Sequence, residues 1–215
     1  MARRWRDVES VATLDRNSRV GMSRRDLARR GAAVGAAALV GGAVVTRGSR
    51  SAAAVPSRSQ DAKIFNFALL LEYLQAAFYS EAVTNGALRG DVADFATTVA
   101  DHEQQHVDFI RQQLGAKARK KPRFDFGDAT RDQHKFLATG VLLENIGVAA
   151  YNGQAANLTK PALAAAAEIV SVEGRHAAWI SDLAGELPAP RAADPGKSAA
   201  EVVAALRATR FIRSS

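Results

Sequence analysis

Glu103-Gln104-Gln105-His106 and Glu173-Gly174-Arg175-His176 are the two stretches on which the fold turns. Residues three apart share one face of an α-helix, so each stretch presents a carboxylate and an imidazole side by side. Each is preceded by a lone glutamate in an apolar segment, Leu70-Leu71-Glu72-Tyr73-Leu74 before the first and Leu142-Leu143-Glu144-Asn145-Ile146 before the second. The surroundings repeat as well. Leu71-Glu72 with Tyr79 returns 72 residues later as Leu143-Glu144 with Tyr151. Glu103-x-x-His106-x-x-Phe109-Ile110 returns 70 residues later as Glu173-x-x-His176-x-x-Trp179-Ile180. Two related halves predict a pseudo-twofold arrangement with two similar half-sites facing each other.

Working outward, the chain from Asp61 shows no alternating strand pattern, only long Ala/Leu-rich segments with helical spacing. The first helix is expected over 61–83, stopping at Asn85-Gly86. The second starts behind Asp91 as N-cap and ends at Gly115. The third spans 130–157, and Thr159 caps a fourth with Pro161 in its first turn, ending between Gly185 and Pro188. A short fifth begins at Ser198-Ala-Ala-Glu201, a capping-box pattern. Connections one–two and three–four are short and must join antiparallel neighbours. The stretch from Gly115 to Ala129 is longer; extended, it reaches about 50 Å, more than the ~36 Å of a 24-residue helix. It can run the length of a bundle and start helix three at the same end as helix two. Two hairpins joined by one long crossover give an all-α, four-helix bundle of ferritin-like topology, with the short C-terminal helix added.

All four glutamates stand near the middle of their helices, so side-by-side packing brings them into one layer. Four buried carboxylates without partners would cost several kcal/mol each, against a total stability of about 5–15 kcal/mol. Two divalent cations cancel that charge, and two neutral imidazoles complete the shell. Oxygen and nitrogen ligands without sulfur suit iron or manganese. The candidate metal ligands are Glu72, Glu103, His106, Glu144, Glu173 and His176. Tyr79 and Tyr151, two turns beyond Glu72 and Glu144, are read either as core packing or as donors or redox partners beside the carboxylates. His102 points about 100° away from the ligand face and is expected on the surface. His134 is read as structural, and Phe109 and Trp179 as core.

This pairing of two lone glutamates with two Glu-x-x-His motifs is that of ferritin-like carboxylate dimetal proteins. Over about 61–186 the chain resembles the ferritin-like superfamily, and more closely its exported bacterial members with a twin-arginine signal. Ligand order and spacing are similar to those of bacterioferritin. The resemblance implies two iron ions, with manganese as the alternative, reacting with O2, peroxide or Fe(II) in ferroxidase, peroxidase or oxidase chemistry. A dimanganese catalase, an iron-storage cage subunit and a non-catalytic envelope or stress protein with a structural metal are the other readings. Bacterioferritins hold haem through a methionine; Gln104 follows Glu103 and the stretch to His106 contains no Met, which argues against haem.

The N-terminal quarter reads as an address. Ser23-Arg24-Arg25-Asp26-Leu27 precedes an uncharged run from Gly31 to Val45, and Ala52-Ala53-Ala54 follows. A basic segment, a short apolar stretch and a small-residue site make a signal peptide, and the paired arginines resemble the twin-arginine signal. Fifteen Gly- and Ala-rich residues are too few to span a bilayer of ~30 Å. Residues 1–54 are therefore assigned to the signal with cleavage after Ala54, 55–60 to a linker, 61–186 to the bundle and 187–215 to a Pro-rich loop and the last helix. Met22 is an alternative start. The expected partner is the twin-arginine translocase, and the expected location is the periplasm, envelope or exterior.

Charge agrees with this division. Residues 1–54 hold eleven arginines and four acids, whereas 55–215 hold eighteen bases and eighteen acids. A neutral domain lacks the clustered basic face that nucleic acid requires, and Lys117-Ala-Arg-Lys-Lys121 is read as a solvated connector. There is no cysteine, which excludes thiol catalysis, disulfides and Cys-ligated metals. The length and the fifth helix permit a homo-oligomer.

Overall fold

The structure, a computed structural model, describes residues 55–213. The export-signal reading of 1–54 lies outside them. Helix α1 spans Arg58–Asn85, α2 Asp91–Leu114, α3 Gln133–Gln154, α4 Lys160–Leu183 and α5 Ala199–Thr209. Helices α1 and α2 pack as one hairpin and α3 and α4 as the other, with α1 against α3 and α2 against α4 between them. Among the described residues no helix is long and apolar enough to cross a membrane.

Several ends differ from expectation, each for a local reason. Helix α1 begins three residues early because the Ser57 side chain accepts from the Gln60 amide and caps it. Asp61, in the first turn of α1, accepts from the Thr159 amide (2.9 Å) and hydroxyl (2.7 Å), tying the start of α4 to the start of α1. Gly90, not Asp91, is the N-cap of α2, with φ 56° and ψ −144°, a conformation open to glycine. Helix α3 starts at Gln133, where Asp132 accepts from the Lys135 amide. Residues 127–130 before it form a 3₁₀ turn. The capping box at Ser198 and Glu201 forms with both of its hydrogen bonds.

The crossover runs as its length requires. Near the end of α2, the Asn66 amide nitrogen donates to the Lys117 carbonyl and its oxygen accepts from the Arg119 amide. Farther along α1, the Tyr73 hydroxyl donates to the Arg119 carbonyl. At the far end of α1, Asn85 donates to Thr130, whose hydroxyl donates to Glu81. The crossover thus follows α1 from its first turns to its last, and α3 starts beside the start of α2. Lys117, Arg119, Lys120 and Lys121 are exposed along it.

An unexpected two-stranded ribbon closes this end. Strand β1 (Arg123–Phe124) in the crossover pairs antiparallel with β2 (Ile212–Arg213) after α5. Phe126 meets Phe211 edge-on at 5.2 Å, and Ala199, Val202, Val203 and Leu206 bury the inner face of α5. On the way, Lys197 crosses α3 so closely that a Cβ on Gly153 would lie 1.9 Å from its carbonyl oxygen. The C-terminal segment is a strap that holds the crossover to the bundle.

Candidate metal centre

Each of the four central helices contributes one glutamate to the interior, and Glu72, Glu103, Glu144 and Glu173 are all 0% exposed. They lie in the middle of helices whose flanking positions, such as Leu71, Leu74, Leu143 and Ile146, are core residues. The carboxylates have no route to solvent without breaking that packing. His106 and His176, one turn beyond Glu103 and Glu173, are buried with them.

Two groups of ligand atoms result, each within 4.8 Å of one another: Glu72, Glu103, His106 and Glu173; and Glu103, Glu144, Glu173 and His176. Glu103 and Glu173 belong to both, so they stand between the two positions, with Glu72 and Glu144 at the outer ends. His106 Nδ1 lies 3.2 Å from Glu173, 3.4 Å from Glu72 and 3.5 Å from Glu103. His176 Nδ1 lies 3.1 Å from Glu103 and 3.5 Å from Glu144. None of these approaches has hydrogen-bonding geometry: among the described residues, seven buried atoms are without a hydrogen-bond partner, both histidine Nδ1 atoms and one or both oxygens of every glutamate. Buried polar atoms are almost always paired. Seven orphaned lone-pair atoms around two centres fit two cations that accept them all, and the all-oxygen-and-imidazole donor set suits iron or manganese.

The outer oxygens are held by the opposite hairpin. Tyr79 of α1 donates to Glu144 Oε1 of α3 at 2.6 Å, and Tyr151 of α3 donates to Glu72 Oε1 of α1 at 2.5 Å. Each tyrosine thus serves the other half's glutamate rather than its own. Gln75 Nε2 donates to Glu144 at 3.1 Å and approaches Glu173 at 3.4 Å.

Protonation in this cluster is a contest between burial and neighbouring charge. Burial opposes a charged His106, but the carboxylates of Glu103, Glu173 and Glu72 outweigh it and push the imidazole up to about 12. His176 is raised in the same way, by Glu103 and Glu144 against burial, to about 10. Burial and the charge of Glu173 raise Glu103 well above the carboxylate range. Burial and Glu72 raise Glu173 to about 7. Glu72 is lowered: burial opposes this, and His106 prevails. Burial, then Glu144 for Tyr79 and Glu72 for Tyr151, keep both phenols protonated as donors.

Two expectations need correction. His102 is not a bystander on the surface: its Nδ1 lies 3.0 Å from His176 Nε2. The ring planes differ by 16° with centroids 5.2 Å apart, so the contact runs edge to edge. Helical angles on α2 alone missed it, because His102 points off the ligand face but towards α4. Trp179 is not core; it is 40% exposed, its ring edge-on to Phe95 at 5.0 Å, and Phe95 in turn meets Tyr79. Gln75, three residues after Glu72 and so on the same helical face, is a further member of the cluster that spacing alone marks. Phe109 packs half-buried against the core, His134 is exposed in the first turn of α3, and Gln104 is exposed and bonded to Asp108.

No curated protein matches the chain. A family model described as the ferritin-like domain matches residues 60–186, which takes in the four central helices, apart from the first two residues of α1, and every residue of the cluster. With the crossover topology, the buried carboxylates and this match together, the chain belongs to the ferritin-like domain family.

Proposed function

We propose that this is an exported two-metal redox protein that reacts with dioxygen or peroxide, with Fe(II) as the substrate if it works as a ferroxidase. The observation that carries the reading is the convergence of seven unpartnered buried ligand atoms on two adjacent centres. Glu72, Glu103, His106 and Glu173 would hold one ion, and Glu103, Glu144, Glu173 and His176 the other. Two iron ions there, or two manganese ions, would supply two-electron chemistry towards an O–O bond.

The chain's own residues do the rest. Glu103 and Glu173 set the spacing of the two positions by facing both. Tyr151 and Tyr79 fix the rotamers of Glu72 and Glu144, leaving Glu72 Oε2 and Glu144 Oε2 aimed inward. Before loading, His106 and His176 hold protons that they must release to become ligands, so binding liberates protons. The apolar layer around the cluster, including Leu71, Phe95, Leu143 and Ile180, excludes bulk water. Export by the twin-arginine route, which carries folded proteins, would let the cytoplasm choose the metal. That matters because such donor sets discriminate poorly by affinity alone.

Metal analysis of the exported protein from its native host, beside a His106→Ala/His176→Ala variant, tests the reading. About two irons per chain, absent from the variant, followed by consumption of O2 or peroxide, is the expected result. Two manganese ions with oxygen evolution from peroxide would make it a catalase. No stoichiometric transition metal in the wild type would overturn the dimetal reading.

A further inference from the structure

The pseudo-twofold relation between the hairpins breaks at two places beside the cluster. The 72-residue offset that maps Glu72 onto Glu144 and Tyr79 onto Tyr151 maps Gln75 onto Gly147. The 70-residue offset that maps Glu103 onto Glu173 maps His102 onto Val172. Neither difference is idle. A Cβ on Gly147 would lie 2.5 Å from Glu173 Oε2 and 3.5 Å from the Gln75 amide, so α3 is bare where Gln75 reaches across from α1. His102 stands beside His176, whereas the residue that the repeat maps onto it in the other half, Val172, is apolar and has no ring nitrogen to offer.

Both breaks favour the same half. Glu144 Oε1 takes donors from Tyr79 and Gln75, whereas Glu72 Oε1 takes one, from Tyr151. His176 meets His102 at Nε2 and the carboxylates at Nδ1, so its ring is fixed from both sides. Its side chain is 3% exposed against 11% for His106. With Nδ1 as ligand, the proton of neutral His176 sits on Nε2 and is donated to His102 Nδ1, which orients the ring and makes its other nitrogen a better donor.

Resting on the dimetal reading above, we infer that the two metal positions are inequivalent. The His176 half is the tight, permanently filled one, with His102 as its positioning residue. The His106 half, nearer solvent, is the exchangeable one. The ligand for either is a divalent first-row cation.

Anaerobic titration of the metal-free protein with Mn(II), followed by electron paramagnetic resonance and calorimetry, tests this. Wild type should bind in two separable steps. His102→Leu should weaken the tighter step by about 10- to 100-fold and spare the weaker one. His102→Asn, whose side-chain oxygen can accept from His176 Nε2, should restore it. Half-exposed His102 can be replaced without opening the core, and circular dichroism checks that the helices remain. His106→Ala should delete the weaker step alone. Two ions bound in identical steps, or a His102→Leu titration that overlays wild type, would sink the inequivalence while leaving the dimetal centre standing. No bound Mn(II) at all would remove the dimetal reading itself.

Discussion

In the α1–α2 hairpin, Glu72, Glu103 and His106 are accompanied by Gln75 and His102; in the α3–α4 hairpin, Glu144, Glu173 and His176 have Gly147 and Val172 in those places. The glutamates and histidines agree because both halves face the same charge problem: two carboxylates and an imidazole taken out of water need the same partner on each side. The neighbours differ at Gly147 because the Glu173 carboxylate leaves no room there for a Cβ. A side chain at 147 would collide with Glu173 Oε2, 2.5 Å from where its Cβ would lie, and Gly147 leaves that space to the carboxylate and to the Gln75 amide that reaches it. Sharing a repeat therefore does not make two half-sites equal.

The harshest way to break the comparison is to remove a carboxylate that both halves use. Glu103→Ala or Glu173→Ala should abolish binding of both ions, whereas Glu72→Ala or Glu144→Ala should spare one. Metal-to-protein ratios after gel filtration read this directly, and retention of both ions by Glu103→Ala would contradict its placement between them.

A finer cut separates the two tyrosines. Tyr151→Phe strips the one side-chain donor to Glu72 Oε1 and should cost about 1.5–3 kcal/mol, the range for hydrogen bonds to charged groups. Tyr79→Phe should cost less, because Gln75 still donates to Glu144 Oε1. Urea denaturation of both variants ranks them, and the reverse order would mean that Gln75 contributes nothing.

The pH dependence sharpens the contrast between filled and empty clusters. Glu173 is raised to about 7 when folded, so its contribution to metal-free stability is complete below the unfolded value near 4.5 and fades as pH rises to about 7. His106, raised to about 12, contributes fully below its unfolded value near 6.5, and that contribution is lost as pH climbs towards about 12. Metal binding requires the opposite, deprotonated forms. The gap in Tm between Mn(II)-loaded and metal-free protein should therefore widen from about pH 5 to about pH 8. A constant or shrinking gap in thermal scans would show that the cations do not compete with these protons.

The smallest effect is expected far from the cluster. The Arg213–Asp125 pair on the strap, 2.8 Å but exposed on both sides, should be nearly silent to Arg213→Ala in melting experiments. A large loss there would promote the strap from a closure to a main support of the crossover.

Much of the bundle was legible from residues close in sequence. Helical spacing, Ser198 with Glu201, and the short turns at Asn85-Gly86 and Thr159 are local signals read within one or two turns of chain. Helix starts are less legible: the Ser57 cap starts α1 three residues ahead of Asp61, and Gly90 takes the N-cap place of α2 instead of Asp91. The β1–β2 ribbon gave no signal because each strand has two residues, stabilised by a partner nearly ninety positions away.

By itself the sequence determined the all-α class, the crossover topology and the six residues that converge, because helix periodicity and a duplicated Glu-x-x-His are properties of a single segment at a time. Only the tertiary structure decided that Tyr79 bonds Glu144 and Tyr151 bonds Glu72, that half-exposed His102 meets His176, and that Gln75 crosses to α3. Those contacts depend on which faces of different helices meet and at what distance. A periodicity read along one helix carries no information about the rotation of its neighbour.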